Sequence, residues 1–264
     1  MSDAQAQPAA APRPQVREMN FRDLAAALRA GWQDFTRAPG LGLFFGAVYA
    51  GGGLLLVVFL FVIERGWMAL PITVGFPLLG PFTAVGLYEI SRRIATGRSW
   101  TTRDILTVIW AQKDRQLAMI SWVVIIYFLF WSFFAHMLFA LFLGPSALLN
   151  VTSSYAYLLE PEGLRMLIVG TAFGAVFAAI LFALTVVALP LLLDRELDFV
   201  TAMLTSLEVV RTNPVVMLIW GITIAGLIFA AMLPAFLGLL VAFPVLGHAS
   251  WHVYRRALKP EGAE

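Results

Sequence analysis

Two histidines, His248 and His252, stand four residues apart in FPVLGHASWHVYRR, Phe243 to Arg256, directly before a pair of arginines. That spacing puts them on one helix face, and imidazole is the commonest protein ligand for transition metals, so the pair is a candidate metal or pH-sensing site. Such a site needs further ligands, and the carboxylate on offer is Glu89. Aligning FPVLGHASWHVYRR with FPLLGPFTAVGLYEISRR, Phe76 to Arg93, by their arginines sets Glu89 opposite His252, whereas aligning them by FPxLG sets Val85 there. The alternative is architectural: His252 sits beside Trp251 and Tyr254 in an interfacial aromatic belt, and His248 hydrogen-bonds to a neighbouring helix. The third histidine, His136 in FFAHMLF, is either a functional intramembrane group or one bonded to a backbone carbonyl or hydroxyl.

A second candidate is built of breakers. WMALPITVGFPLLGPFTAVGLY carries Pro71, Pro77 and Pro81 among Gly75, Gly80 and Gly86. Prolines free backbone carbonyls, which at mid-membrane can coordinate ions with help from Thr73 and Thr83; the alternative is a kinked helix whose freed groups are satisfied by its neighbours. Cysteine is absent, which excludes disulfides, thiolate metal sites and cysteine nucleophiles. With no phosphate loop, dinucleotide fingerprint, HExxH or supported GxSxG, the sequence points to no catalytic residue and no cofactor, and leans away from an enzyme.

The elements that position these residues are membrane helices. Of 264 residues, 60% are hydrophobic and only 13% charged, far from soluble composition. Six segments suffice for a bilayer core of about 30 Å: residues 41–63, 67–88, 117–143, 166–193, 215–233 and 235–254. The last two form one uncharged run, with Pro234 the expected turn. Of 18 basic residues, 16 fall in segments that lie on one side if the N-terminus is cytoplasmic, with only Arg65 and Arg165 opposite. Both termini are therefore expected in the cytoplasm. Residues 1–19, rich in Ala and Pro, read as a disordered cytoplasmic tail rather than a signal peptide, 20–257 as a single membrane domain, and 258–264 as a second tail.

Amphipathic segments precede alternate spans, at about 20–38, 101–116 and 198–212. In the first, Phe21, Leu24, Leu28, Trp32 and Phe35 share a face, with Asn20 as cap and Pro39 as terminator; in the last, Asp198 is the cap and Pro214 ends it. Asp23 to Pro39 and Asp198 to Pro214 keep the same register, and Thr101 with Asp104 has the form of a capping box. The pattern predicts parallel repeats of an interfacial helix plus a membrane hairpin. Gly42/Gly46 and Gly170/Gly174 supply close-packing surfaces, expected inside the bundle.

FPLLGPFTAVGLYEISRR, PLLLDRELDFVTAMLTSLEVVRTNP and FPVLGHASWHVYRR together resemble the bacterial integral membrane proteins grouped as "domain of unknown function 2189", over roughly Phe21 to Arg256. The resemblance implies an all-α, multi-span inner-membrane protein with no catalytic residues to carry over. Some relatives bear labels resembling a cytochrome oxidase subunit, but three histidines are too few for an oxidase core, and His136 and His248 differ in depth by roughly 10 to 15 Å at 1.5 Å per residue. The spans contain no Asp, Glu, Lys or Arg, which disfavours ion-coupled transport. Three functions stay open: a non-catalytic protein that organises, assembles or regulates membrane partners; a passive channel or transporter through the repeat interface; and a metal- or haem-associated protein. The lipid bilayer is the expected partner, with other membrane proteins as candidates and no nucleic acid.

Overall fold

The computed structural model describes residues 14–58, 83–112, 116–143 and 160–260. They form α1 (Phe21–Arg37), α2 (Pro39–Val57), α3 (residues 83–95), α4 (Thr102–Ala111), α5 (Gln116–Leu143), α6 (Pro161–Thr185), α7 (Ala188–Asp194), α8 (Phe199–Thr212), α9 (Pro214–Met232) and α10 (Leu239–Ala257). Among the described residues the only extended pairing is an isolated bridge, Val16 with Leu258, so the chain is all-helical there.

Local chemistry sets the helix starts. The Asn20 side chain accepts from the N–H groups of Arg22 and Asp23, and Asp23 accepts in return from the Asn20 N–H. Thr101 and Asp104 form the same reciprocal box at α4, and Asp198 accepts from the Thr201 N–H at α8. Proline sets two helix joints. Ala38, before Pro39, has φ −130° and ψ 52°, and Asn213, before Pro214, has φ −125° and ψ 52°. In each case the ring of the next residue pushes its predecessor out of the helical region, while the proline opens the new helix where its missing N–H costs nothing. At the first joint the axis turns by 104°, so α1 lies nearly across α2.

Among the described residues, three helices are long and apolar enough to cross a membrane, Gln116–Phe142, Pro161–Asp194 and Pro214–Met232, and the bent pair Phe21–Arg37 plus Pro39–Leu55 makes up to four. The expected spans 41–63 and 67–88 lie partly outside the described residues. α10 falls short of that standard because its second half carries His248, Ser250, His252, Arg255 and Arg256. The expected turn at Pro234 falls in the link between α9 and α10, where Ala235 and Phe236 take positive φ. The expected span 166–193 breaks after Thr185. Pro190 lacks an N–H and its ring crowds the carbonyl of Val186, and the Val187 N–H freed at the break donates to Ser206 Oγ at 3.1 Å.

α10 is the centre of the packing, touching α1, α2, α7 and α9. Leu246, Ala249, Trp251, Val253, Tyr254 and Ala257 are buried along it. Gly46 of α2 faces its backbone so closely that a Cβ would stand 2.8 Å from Leu240 Cα, which makes the first glycine pair an internal surface. The second divides: Gly174 backs onto Trp131, while Gly170 is open. α5, α6 and α9 turn Phe133, Leu141, Ile168, Leu218 and Phe229 outward, the apolar exterior of a lipid-facing bundle.

A buried polar cluster where three helices meet

Polar side chains gather where α1, α3 and α10 converge. Asp34, Ser91 and His248 are buried there, although α1 presents arginines on its other side. His252 Nε2 bonds an Asp34 carboxylate oxygen at 2.7 Å, and Ser91 Oγ bonds His248 Nδ1 at 2.8 Å. Burial works to raise the Asp34 pKa, but hydrogen bonds from His252 and the Ser91 hydroxyl, with the nearby imidazoles, outweigh it and hold the carboxyl below its ordinary value. An ionised Asp34 only accepts, so His252 Nε2–H donates to it. His248 shares its Nδ1 hydrogen bond with Ser91, and its Nε2, buried beside the Leu87 backbone, meets no partner of acceptable geometry among the described residues.

Glu89, two residues before Ser91 on α3, is fully buried but does not join this cluster. Its two oxygens accept from Arg92 Nε at 2.7 Å and Arg93 Nε at 2.6 Å, both on its own helix. The Glu89 hydrogen bonds hold Arg92 protonated even more firmly than usual, against its partial burial. The two histidines and Glu89 thus go to separate partners: Asp34 for His252, Ser91 for His248 and the arginines for Glu89. Among the described residues, no group of three or more His, Asp or Glu side chains is placed to hold a metal ion.

The expected aromatic belt is replaced by something tighter. Trp251 and Tyr254 are buried in protein at 2% and 1% exposure rather than set at the lipid boundary, and Trp251 faces Tyr88 with ring centroids 6.4 Å apart. Tyr254 donates to Asp194 at 2.6 Å, and Arg255 reaches the same carboxylate at 3.2 Å, tying α10 to α7. His136 lies apart on the outer face of α5, its Nδ1 bonded to the Ser132 carbonyl at 2.6 Å. Of the second-span candidates, Thr73, Pro77 and Pro81 lie outside the described residues, whereas Thr83 is buried and donates to the Tyr49 hydroxyl at 3.3 Å.

Asp34, Ser91 and Asn213 matter to this architecture, and their types alone did not mark them out. Asn213, buried at the α8–α9 joint, accepts from the Met19 N–H at 2.6 Å and donates to the carbonyls of Arg17 and Val209 at 3.1 Å. The segment it holds continues as an extended stretch on the chain's other end, with Arg17 N–H donating to the Ala257 carbonyl and Lys259 N–H to that of Gln15. Chemically, the cluster can lock helix ends together; Ser91 and His248, the one hydroxyl–imidazole pair in it, are both fully buried.

Residues 68–194 match the family model described as "Predicted integral membrane protein (DUF2189)". No curated protein matches the chain, and no solved structure does.

Proposed function

We propose that this chain, whose residues 68–194 place it with the DUF2189 integral membrane proteins, is a non-catalytic membrane protein that organises, assembles or regulates partner proteins. The observation that carries the reading is how its buried and half-buried carboxylates are used. Asp34, Glu89 and Asp194 are each matched by side chains of the fold itself, and each match joins or braces helix ends. A catalytic or coupling carboxylate has to be offered to a substrate or an ion, and these are already taken.

The passive-pore alternative needs an opening along the second and last spans. Where the second span is described, its contact with α10 is dry: Val85, Leu87 and Ile90 are fully buried, and the Leu87 side chain fills the space over Gly247. The finer architecture belongs to the same proposal: six spans in the cell inner membrane, both termini cytoplasmic, and α1, α4 and α8 lying along the cytoplasmic interface. The 104° turn into α2, and outward-facing Phe21 and Trp32 beside Arg22 and Arg29, support that placement for α1.

The test is cross-linking in intact cells, followed by purification in detergent, in parallel with reconstitution into vesicles. The assembly reading expects one membrane protein to be recovered at constant stoichiometry, and a reporter fused after Lys259 to be active on the cytoplasmic side. Saturable flux of a small solute into vesicles containing the purified chain alone would sink it.

A further inference from the structure

Where α1 turns into α2, the start of α4 stands opposite, and a cleft of about 650 Å³ opens between them. Leu41 and Phe44 of α2 line one side and Trp100 and Leu106 the other. Phe44 is 51% and Leu106 43% exposed, so the fold leaves apolar walls uncovered here. Gly40, also in the lining, faces open space: a Cβ built there meets nothing within 4 Å. The Thr101 hydroxyl, by contrast, is committed to Asp104 in the α4 cap. The walls therefore suit a hydrocarbon chain, in a volume within the range of about 300–1,000 Å³ typical of sites for one small molecule.

Arginine is concentrated beside this lining. Arg37 directly precedes Ala38, Arg98 lies two residues before Trp100, and Arg103, three before Leu106, neighbours it on the surface of α4. All three are exposed, and none makes an ion pair among the described residues. Asp104 accepts from the Thr101 N–H and lies 3.8 Å from Arg93, while Asp34, near Arg37 in the chain, is turned inward to His252. The local balance is positive. An apolar cleft bordered by cations is complementary to a molecule that is both hydrocarbon and anionic. We propose that this cleft binds one anionic phospholipid, with an acyl chain between α2 and α4 and its phosphate at Arg37, Arg98 and Arg103. A soluble anion would leave the walls uncovered, and a zwitterionic lipid would bring its ammonium towards the arginines. The site rests on the interfacial placement of α1 and α4 given above, which sets the Pro39 joint at the bilayer edge.

The test is native mass spectrometry of the delipidated full-length protein, titrated with phosphatidylglycerol and with phosphatidylethanolamine. A single-lipid adduct stronger for phosphatidylglycerol is expected. Gly40→Trp fills the cleft and should abolish it, whereas Gly51→Trp, at another open glycine of α2, should leave it intact. Arg37→Gln and Arg103→Gln should each cut the preference about fivefold, the worth of one basic residue near an anionic headgroup. All four positions are exposed, so the variants keep the fold. Equal adducts for the two lipids, an adduct that survives Gly40→Trp, or an equal loss with Gly51→Trp would overturn the site. Displacement by glycerol 1-phosphate at the lipid's own concentration would overturn the lipid as its ligand. Gly40→Cys, the only thiol in the chain and so uniquely labelled with a nitroxide, tests the placement separately in vesicles. A label in open water overturns the interfacial placement and the site with it, whereas a label at the bilayer edge with indiscriminate adducts overturns the lipid site alone.

Discussion

Gly31 is where α1 crosses α10, and the substitution Gly31→Ala tests whether that crossing holds the molecule together. A Cβ built there would stand 2.6 Å from Ala249 N, 2.7 Å from the Val245 carbonyl oxygen and 2.8 Å from Ala249 Cβ. Two of those three atoms are backbone of a buried helix and cannot swing aside, so the helices must separate. Overpacking of this kind costs about 1–3 kcal/mol, against roughly 0.5–1 kcal/mol gained by replacing a helical glycine with alanine. The net is a loss of about 1–2 kcal/mol, and at roughly 2–4 °C per kcal/mol for a chain of this size Tm should fall by about 5 °C. The 2.7 Å bond between Asp34 and His252 spans the same interface and would lengthen with it. Gly51→Ala on α2 is the control, because nothing lies within 4 Å of its added Cβ, and it should leave Tm unchanged or raise it. Thermal unfolding in detergent, followed by the fluorescence of buried Trp251, reads both. A Tm for Gly31→Ala at or above wild type, or an equal fall for Gly51→Ala, would refute the close-crossing argument.

Two further outcomes follow from the buried hydrogen bonds. Asn213→Ala removes the acceptor of the buried Met19 N–H and two further bonds, a cost of about 2–3 kcal/mol, and should free the N-terminal segment. Limited trypsin digestion should then cut at Arg17 and Arg22 many times faster than in wild type, and equal rates would show that Asn213 does not clamp this segment. Asp34→Asn keeps the shape of the side chain but loses a charged acceptor worth about 1.5–3 kcal/mol in its bonds. Because the folded carboxyl is held below its ordinary value, its stabilisation is complete above the unfolded pKa of about 4 and is lost as pH falls through the lowered folded value. The Tm difference between wild type and variant should therefore be present at neutral pH and close in strong acid; a gap that persists there would mean that Asp34 acts through packing alone.

What could be read from the sequence was local or compositional. Asn20, Thr101 and Asp198 announce their helices because a cap needs only neighbours three residues away, and Pro39 and Pro214 announce joints because the ring acts on the residue before it. The lipid-facing character of α5, α6 and α9 follows from composition alone. The cluster was not legible, because its partners lie 218 residues apart for His252 and Asp34 and 157 for Ser91 and His248. Asp34 sits among residues that look like the solvated side of an amphipathic helix, and the helix turns that side into protein. Trp251 and Tyr254 show the opposite failure, since aromatic residues beside an Arg-Arg pair fit a membrane belt until the neighbouring helix is in place to bury them.

That neighbour bears on the repeat. When the two closing motifs are aligned by their arginines, Tyr88 falls on Trp251 and Glu89 on His252. In the fold Tyr88 faces Trp251, a residue in contact with its own counterpart, which is what two copies give when the axis relating them passes between those positions. Ala38 and Asn213, each before a proline that opens a helix, share nearly the same backbone angles, which the following proline accounts for. On that alignment Glu89 and His252 take equivalent positions with different partners. Glu89 is held by the arginines that follow it, whereas His252 reaches across to Asp34 and binds an interfacial helix to the bundle. If the units arose as copies, the histidines mark where the second copy acquired a contact that the first does not make.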